Sequence, residues 1–189
     1  TEINAELLDY APRVRIVCKH GVGVDNIDLA ETRARGIWVT NVPNANKHAV
    51  ADFTFALLLS LARQIPQANA LTKGGEWPRI FATDAWGKTI GICGLGNIGK
   101  QVALRAKGFN MRVIAFDFFQ DKAFAEENGI AFVDKDELLG QSDFITLHMP
   151  LTDSTKSFIA LDDMRKMKRG AYLINASRGG VVNEADLFT

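Results

Sequence analysis

Cysteine is scarce in this chain: Cys18 and Cys93 stand 75 positions apart in apolar, strand-like segments, without a spacing that gathers metal ligands. Both read as small buried hydrophobes of a reducing, cytoplasmic protein, and no metal site is expected. Charge of one sign is missing too. The 22 basic and 22 acidic side chains cancel, so no basic surface invites nucleic acid and none is expected as a partner. The longest nearly apolar stretch, Phe53 to Ala62, falls far short of the ~20 residues that cross a bilayer, with Asp52 and Arg63 flanking it. No membrane association and no leading signal peptide are expected. Internal repeats and low-complexity tracts are absent, and 47% hydrophobic with 23% charged residues excludes a disordered chain. A length of 189 residues leaves room for one or two domains. The chain opens at Thr1 without a methionine and stops where another helix would start, so a piece of a longer protein is expected.

What is present is an alternation of strand-like and helix-like segments, the pattern of an α/β protein with a mostly parallel sheet. Strands are expected at Val14 to Lys19 and Ile37 to Asn41, with a helix from Ile27 to Arg35 between them. Asn46 to Ile65 reads as one long helix, apolar on nearly all sides and ended by Pro66. Such a helix must be buried, in the core or against a second subunit. Leu71 to Trp86 reads as an irregular arm. From Lys88 the rhythm becomes regular: strands at Thr89–Cys93, Arg112–Asp117, Ile130–Val133, Phe144–His148 and Ala171–Asn175, separated by helical segments. Five strands with right-handed crossovers make most of a Rossmann-type doubly wound parallel sheet. The domain boundary is placed near Pro43, giving segments 1–43 and 44–189.

Gly94-Leu95-Gly96-Asn97-Ile98-Gly99 is a G-x-G-x-x-G string that follows an apolar strand and opens a helix. Gly94 permits a tight turn, Gly96 lets backbone meet a pyrophosphate, and Gly99 lets the helix pack close to the strand. The helix start at Asn97 and Ile98 offers amides and a positive dipole end to phosphates. Asp117 closes the second strand, 23 residues after Gly94, where a ribose-binding carboxylate belongs. A 2′-phosphate there would meet like charge, costing roughly 1–4 kcal/mol per unit charge at ~4 Å. No cation precedes Lys122 to offset it, so NAD rather than NADP is the expected cofactor.

Ligands of open α/β sheets lie beyond the carboxyl ends of the strands. There the fourth strand of this sheet runs into His148-Met149-Pro150, and the fifth into Asn175-Ala176-Ser177-Arg178-Gly179-Gly180. Arg178 is either a surface arginine closing a loop or a guanidinium that holds a carboxylate and polarises a carbonyl. Gly179 and Gly180 beside it point to close backbone approach.

These stretches carry a resemblance. Gly87 to Ile92 running into the glycine loop, Leu147 to Thr152, Asn175 to Gly179, and Gly21 to Asp28 resemble the D-isomer-specific 2-hydroxyacid dehydrogenases, nearest the phosphoglycerate dehydrogenase branch. The resemblance implies a Rossmann domain preceded by a remnant of a flavodoxin-like substrate domain. It implies hydride transfer between NAD and a small 2-hydroxy or 2-keto acid. It puts the essential arginine at Arg178, binding substrate carboxylate and carbonyl. His148, Met149, Pro150, Ala176 and Ser177 would then line the nicotinamide side, while Gly21, Val22 and Gly23 turn amides toward substrate, with Val22 also near the cofactor. A plain strand-ending turn is the other reading of Gly21 to Gly23.

The family's acid/base histidine and its glutamate match no position here. His148 falls on a cofactor contact, His48 on the start of the long helix and His20 before a turn. Poor turnover by this chain is therefore expected. A non-catalytic NAD(H)-sensing, corepressor-like module on the same scaffold would keep the same loop and arginine. An S-adenosyl-dependent enzyme fits the Arg178 setting less well. The apolar helix and the Trp77 to Trp86 arm lead us to expect a homodimer. Arg165, Lys166, Lys168 and Arg169 close a helix, where cations complement the dipole.

Overall fold

A computed structural model of the chain describes residues 1–188; Thr189, the last residue of the second segment, lies outside that range. The described residues form two compact units, Thr1–Lys47 and one from His48 onward.

In the first unit, α1 (Ala5–Asp9) and α2 (Leu29–Ala34) accompany two parallel strands, β1 (Ile16–Cys18) and β2 (Trp38–Thr40). Asn4 and Asp28 start the helices by accepting the amides of Leu7 and Glu31 at 3.0 and 2.9 Å. Both strands are shorter than their apolar runs, since pairing ends at Ile16↔Trp38 and Cys18↔Thr40. Cys18 is exposed, which corrects its reading as a buried hydrophobe: its strand alternates faces, and Cys18 lies on the open one with Ile16. Cys93 is buried.

All but the first residue of α3 (Lys47–Ala62) belongs to the second unit, and α4 (Ile65–Lys73) follows it, two helices where one was expected. Gln64 takes a left-handed conformation (φ 54°), donates from Nε2 to Phe81 O at 2.9 Å, and bends the pair by 62°. Pro66 thus opens α4 instead of ending α3, because a first-turn residue has no intrahelical amide bond to lose. Within the single chain, burial of α3 is one-sided. Ala51, Thr54, Phe55, Leu58 and Ala62 are buried, while Phe53 and Leu61 stay about half exposed. Among the described residues no single helix is long and apolar enough to cross a membrane, though bent α3 and α4 together pass that test by length and composition.

The sheet is formed by β3 (Thr89–Cys93), β4 (Arg112–Phe116), β5 (Ala131–Phe132), β6 (Phe144–Leu147) and β7 (Tyr172–Asn175). All pairs are parallel, in the order β5-β4-β3-β6-β7. That is the doubly wound arrangement the alternation implied, with the order reversing between β3 and β6. Its connecting helices are α5 (Asn97–Gly108), α6 (Lys122–Asn128), α7 (Lys135–Gln141) and α8 (Leu161–Lys166). Alternate residues of each strand feed two cores. Ile90, Ile92, Val113, Ala115 and Phe144 meet α3 and α5 on one face. On the other, Cys93, Ile114, Ile145 and Leu147 meet Leu138 and Leu139 of α7. Salt bridges hold the basic cluster of α8 and its end: Arg165 to Asp162, Lys166 to Asp136, Lys168 to Asp143.

Candidate functional site

The carboxyl end of β3 lies between β4 and β6. Gly94 N donates to Phe116 O at 2.8 Å, and His148 N donates to Cys93 O at 2.8 Å, so the glycine loop starts where the strand order reverses. Gly94 adopts φ 95°, and a Cβ there would stand 2.8 Å from His148 O. Gly99 has even less room: its Cβ would meet Gly94 O at 2.1 Å. Gly96 differs, with nothing within 4 Å of its Cβ position. It is also the N-cap of α5 and has no side chain to satisfy the first helical amides. Two glycines therefore seat the loop, and the third leaves open space beside it and the start of α5, at Asn97 and Ile98, without a capping side chain. That cradle fits the diphosphate of a dinucleotide.

Asp117 is bound to this loop. Its Oδ2 accepts the Leu95 amide at 2.6 Å and its Oδ1 the Phe119 amide at 2.9 Å. The strand-end acid and the glycine loop are thus one unit, a link invisible in the sequence because it joins a side chain to a backbone amide. Each carboxylate oxygen keeps a second lone pair for a hydroxyl donor.

At the end of β6, His148 Nε2 and Thr146 Oγ1 are 2.9 Å apart, and the buried Nδ1 has no hydrogen-bond partner. Burial pushes the imidazole down to about 4. It is neutral at ordinary pH, because desolvation penalises the imidazolium. Thr146 was not singled out from sequence, although residues two apart on a strand share a face. Met149 is buried, and Pro150 O accepts Thr155 Oγ1 at 2.6 Å, which fixes the turn.

The end of β7 is organised by Asn175. Its Oδ1 accepts the Ser177 amide and hydroxyl at 3.0 and 2.7 Å, and its Nδ2 donates to Arg178 O at 2.8 Å. An Asx-type turn of this kind is signalled by an asparagine two residues before a serine. Ala176, Ser177 and Arg178 line a hollow of about 620 Å³ together with Gly179, Val182, Glu184, Leu187 and Phe188. Arg178 is half-buried and donates from Nη1 to Ser177 O at 3.0 Å.

In the first unit, Gly21, Val22 and Gly23 form the turn after β1. Val42 N donates to Gly21 O at 3.0 Å and Asn41 Nδ2 to Val22 O at 2.7 Å, pinning the turn to the chain leaving β2. Among the described residues no His, Cys, Asp and Glu side chains group as a metal site.

Residues 55–189 match the family model described as D-isomer specific 2-hydroxyacid dehydrogenase, NAD binding domain. The chain is 43% identical to a glyoxylate reductase of Korarchaeum cryptofilum, over 98% of this chain and 58% of that one. It is 41% identical to a D-3-phosphoglycerate dehydrogenase of Methanocaldococcus jannaschii, over 100% of this chain and 36% of that one. Among solved structures, a D-lactate dehydrogenase from Aquifex aeolicus, complexed with NAD and lactic acid, is similar with a TM-score of 0.90 and 34% identity. That likeness covers 99% of this chain and 57% of the other. The chain thus spans 36% to 58% of the length of these curated relatives.

Proposed function

The chain belongs to the D-isomer-specific 2-hydroxyacid dehydrogenase family, and from that premise we propose that it is the NAD-binding part of an oxidoreductase acting on a small D-2-hydroxy acid. One observation carries the reading: the glycine loop, open above Gly96, is hydrogen-bonded through Leu95 to the acid that closes the second strand of its sheet, Asp117.

Bound NAD would accept or donate hydride at its nicotinamide. In this proposal the amides of Gly96, Asn97 and Ile98 hold the diphosphate, and Asp117 accepts the adenosine ribose hydroxyls. His148, Met149, Pro150, Ala176 and Ser177 line the nicotinamide side. Arg178 binds the substrate carboxylate and polarises its carbonyl. A neutral His148 lacks the imidazolium proton that a general acid would give at pH 7. Neither it nor His20 or His48 matches the family's acid/base histidine, so this chain is proposed to bind NAD and to turn over poorly by itself.

The motif resemblance favours a phosphoglycerate-type substrate, with glyoxylate- and lactate-type acids as the alternatives that relatives' names supply. An exposed thiol at Cys18 fits a reducing, cytoplasmic setting. A homodimer is supported by Phe53, Leu61 and Ile65 on the outer side of α3 and the start of α4, and by exposed Trp77, Phe81 and Trp86.

Fluorescence titration tests the cofactor reading. NADH is expected to bind more tightly than NADPH, and Asp117→Ala to weaken NADH by about tenfold, the loss of roughly 1.4 kcal/mol of hydrogen bonding. Equal affinity of the unaltered chain for both nucleotides would overturn it.

A further inference from the structure

The loop that carries Asp117 is fastened at its far end by a pair that no motif announces. Lys100 lies in the first turn of α5, one residue past Gly99. Its Nζ donates to Asp121 Oδ2 at 2.5 Å and sits 5.0 Å from the centroid of the Phe124 ring. Asp121 is already committed: its Oδ1 accepts the Phe124 amide at 3.1 Å and starts α6. The strip from Asp117 to Asp121 is therefore held at both ends, to the glycine loop by Leu95 and to α5 by Lys100.

The chemistry of this arrangement depends on where the lysine charge goes. A 2′-phosphate on the adenosine ribose would lie against Asp117, and a nearby cation would offset the repulsion. Asp121 follows Asp117 by four residue steps, at most about 14 Å when fully extended. The flexible four-carbon stem of a lysine lets its ammonium swing over part of that span. Other cations on α5 are engaged elsewhere: Arg105 pairs with Asp52 and Lys107 with Asn128.

We propose that Asp121 is a specificity-determining residue, which holds Lys100 away from the adenosine ribose and so keeps the site selective for a dinucleotide without a 2′-phosphate. The inference rests on the NAD-binding reading above and adds a second layer to it. Asp117 repels the phosphate, and Asp121 withholds the cation that would rescue it.

The test measures Kd for NADH and for NADPH by fluorescence with the full chain, Asp121→Asn, Lys100→Gln and the double variant. Asp121→Asn is expected to lower the NADPH-to-NADH Kd ratio about three- to tenfold by tightening NADPH. Lys100→Gln should not lower it, and the double variant should return to the unaltered ratio. A ratio unchanged in Asp121→Asn overturns the proposal. So does an equal fall with Lys100 replaced, since removal of a negative charge alone would then explain it. So does a parallel loss of NADH affinity in both single variants with a constant ratio, the signature of a merely structural pair. Failure of the unaltered chain to bind either nucleotide would instead strike the NAD-binding reading, and is read separately.

Discussion

Gly99 shows how one atom can decide the site. Its Cβ position lies 2.1 Å from Gly94 O, a backbone atom that cannot swing aside, so helix and strand must separate to admit a methyl group. Gly99→Ala is expected to cost about 1–3 kcal/mol despite alanine's better helix propensity. A thermal melt reads this as a fall of several degrees, and NADH binding should weaken with it; an unchanged melt would refute the close packing. His148 makes a pH prediction. In the unfolded chain its imidazole takes up a proton near 6.5, whereas in the fold it does so only at about 4. Below pH 6.5 the unfolded state binds more protons, so stability falls as pH drops from 6.5 toward 4, by up to about 3 kcal/mol. Urea melts at pH 7 and pH 5 should show the loss, and His148→Gln should flatten it. An equal slope in that variant would assign the loss to other groups.

At the scale of elements, α5 and its flanking strands determine what the glycine string can do. The string was readable because strand, loop and helix follow one another without a gap. The Leu95 tie to Asp117 was not, since it joins segments brought together by folding, whereas the Thr146 partner of His148 and the Asn175 turn left local signals in residues two apart. The α3 and α4 pair shows the opposite limit. A run of apolar residues signals a helix, but the break at Gln64 follows from its bond to Phe81, seventeen residues on. Asp143 performs a comparable function at the amino ends of the strands. Burial raises its carboxyl, but the Thr89 amide at 2.8 Å and Lys168 at 3.0 Å overcome this and hold it below the usual range. Asp143→Ala removes the partner of a part-buried amide at the start of β3 and is expected to destabilise by about 1–3 kcal/mol in denaturant melts. Little change would mean water replaces the carboxylate.

At the scale of the whole molecule, the unit from His48 onward carries a two-sided core, while the first unit's strands alternate exposed and half-buried residues. Ile16 and Trp38 remain 52% and 74% exposed there, so this small unit contributes few apolar contacts of its own. The outer side of α3 makes a prediction about assembly. Light scattering is expected to give twice the 20.8 kDa chain mass, and Phe53→Asp with Leu61→Asp to halve it without loss of the melt. A monomer for the unaltered chain would refute the homodimer.

Strand and helix order, the glycine string, the acid after the second strand and the arginine in its Asn-Ala-Ser-Arg-Gly setting were determined by the sequence, because periodicity, glycine and turn chemistry act over a few neighbouring residues. Only the tertiary structure decided which face of α3 is covered, that Cys18 is open, that His148 is neutral, and that Leu95 joins Asp117. Burial and desolvation are properties of what packs around a group, and those neighbours come from distant parts of the chain.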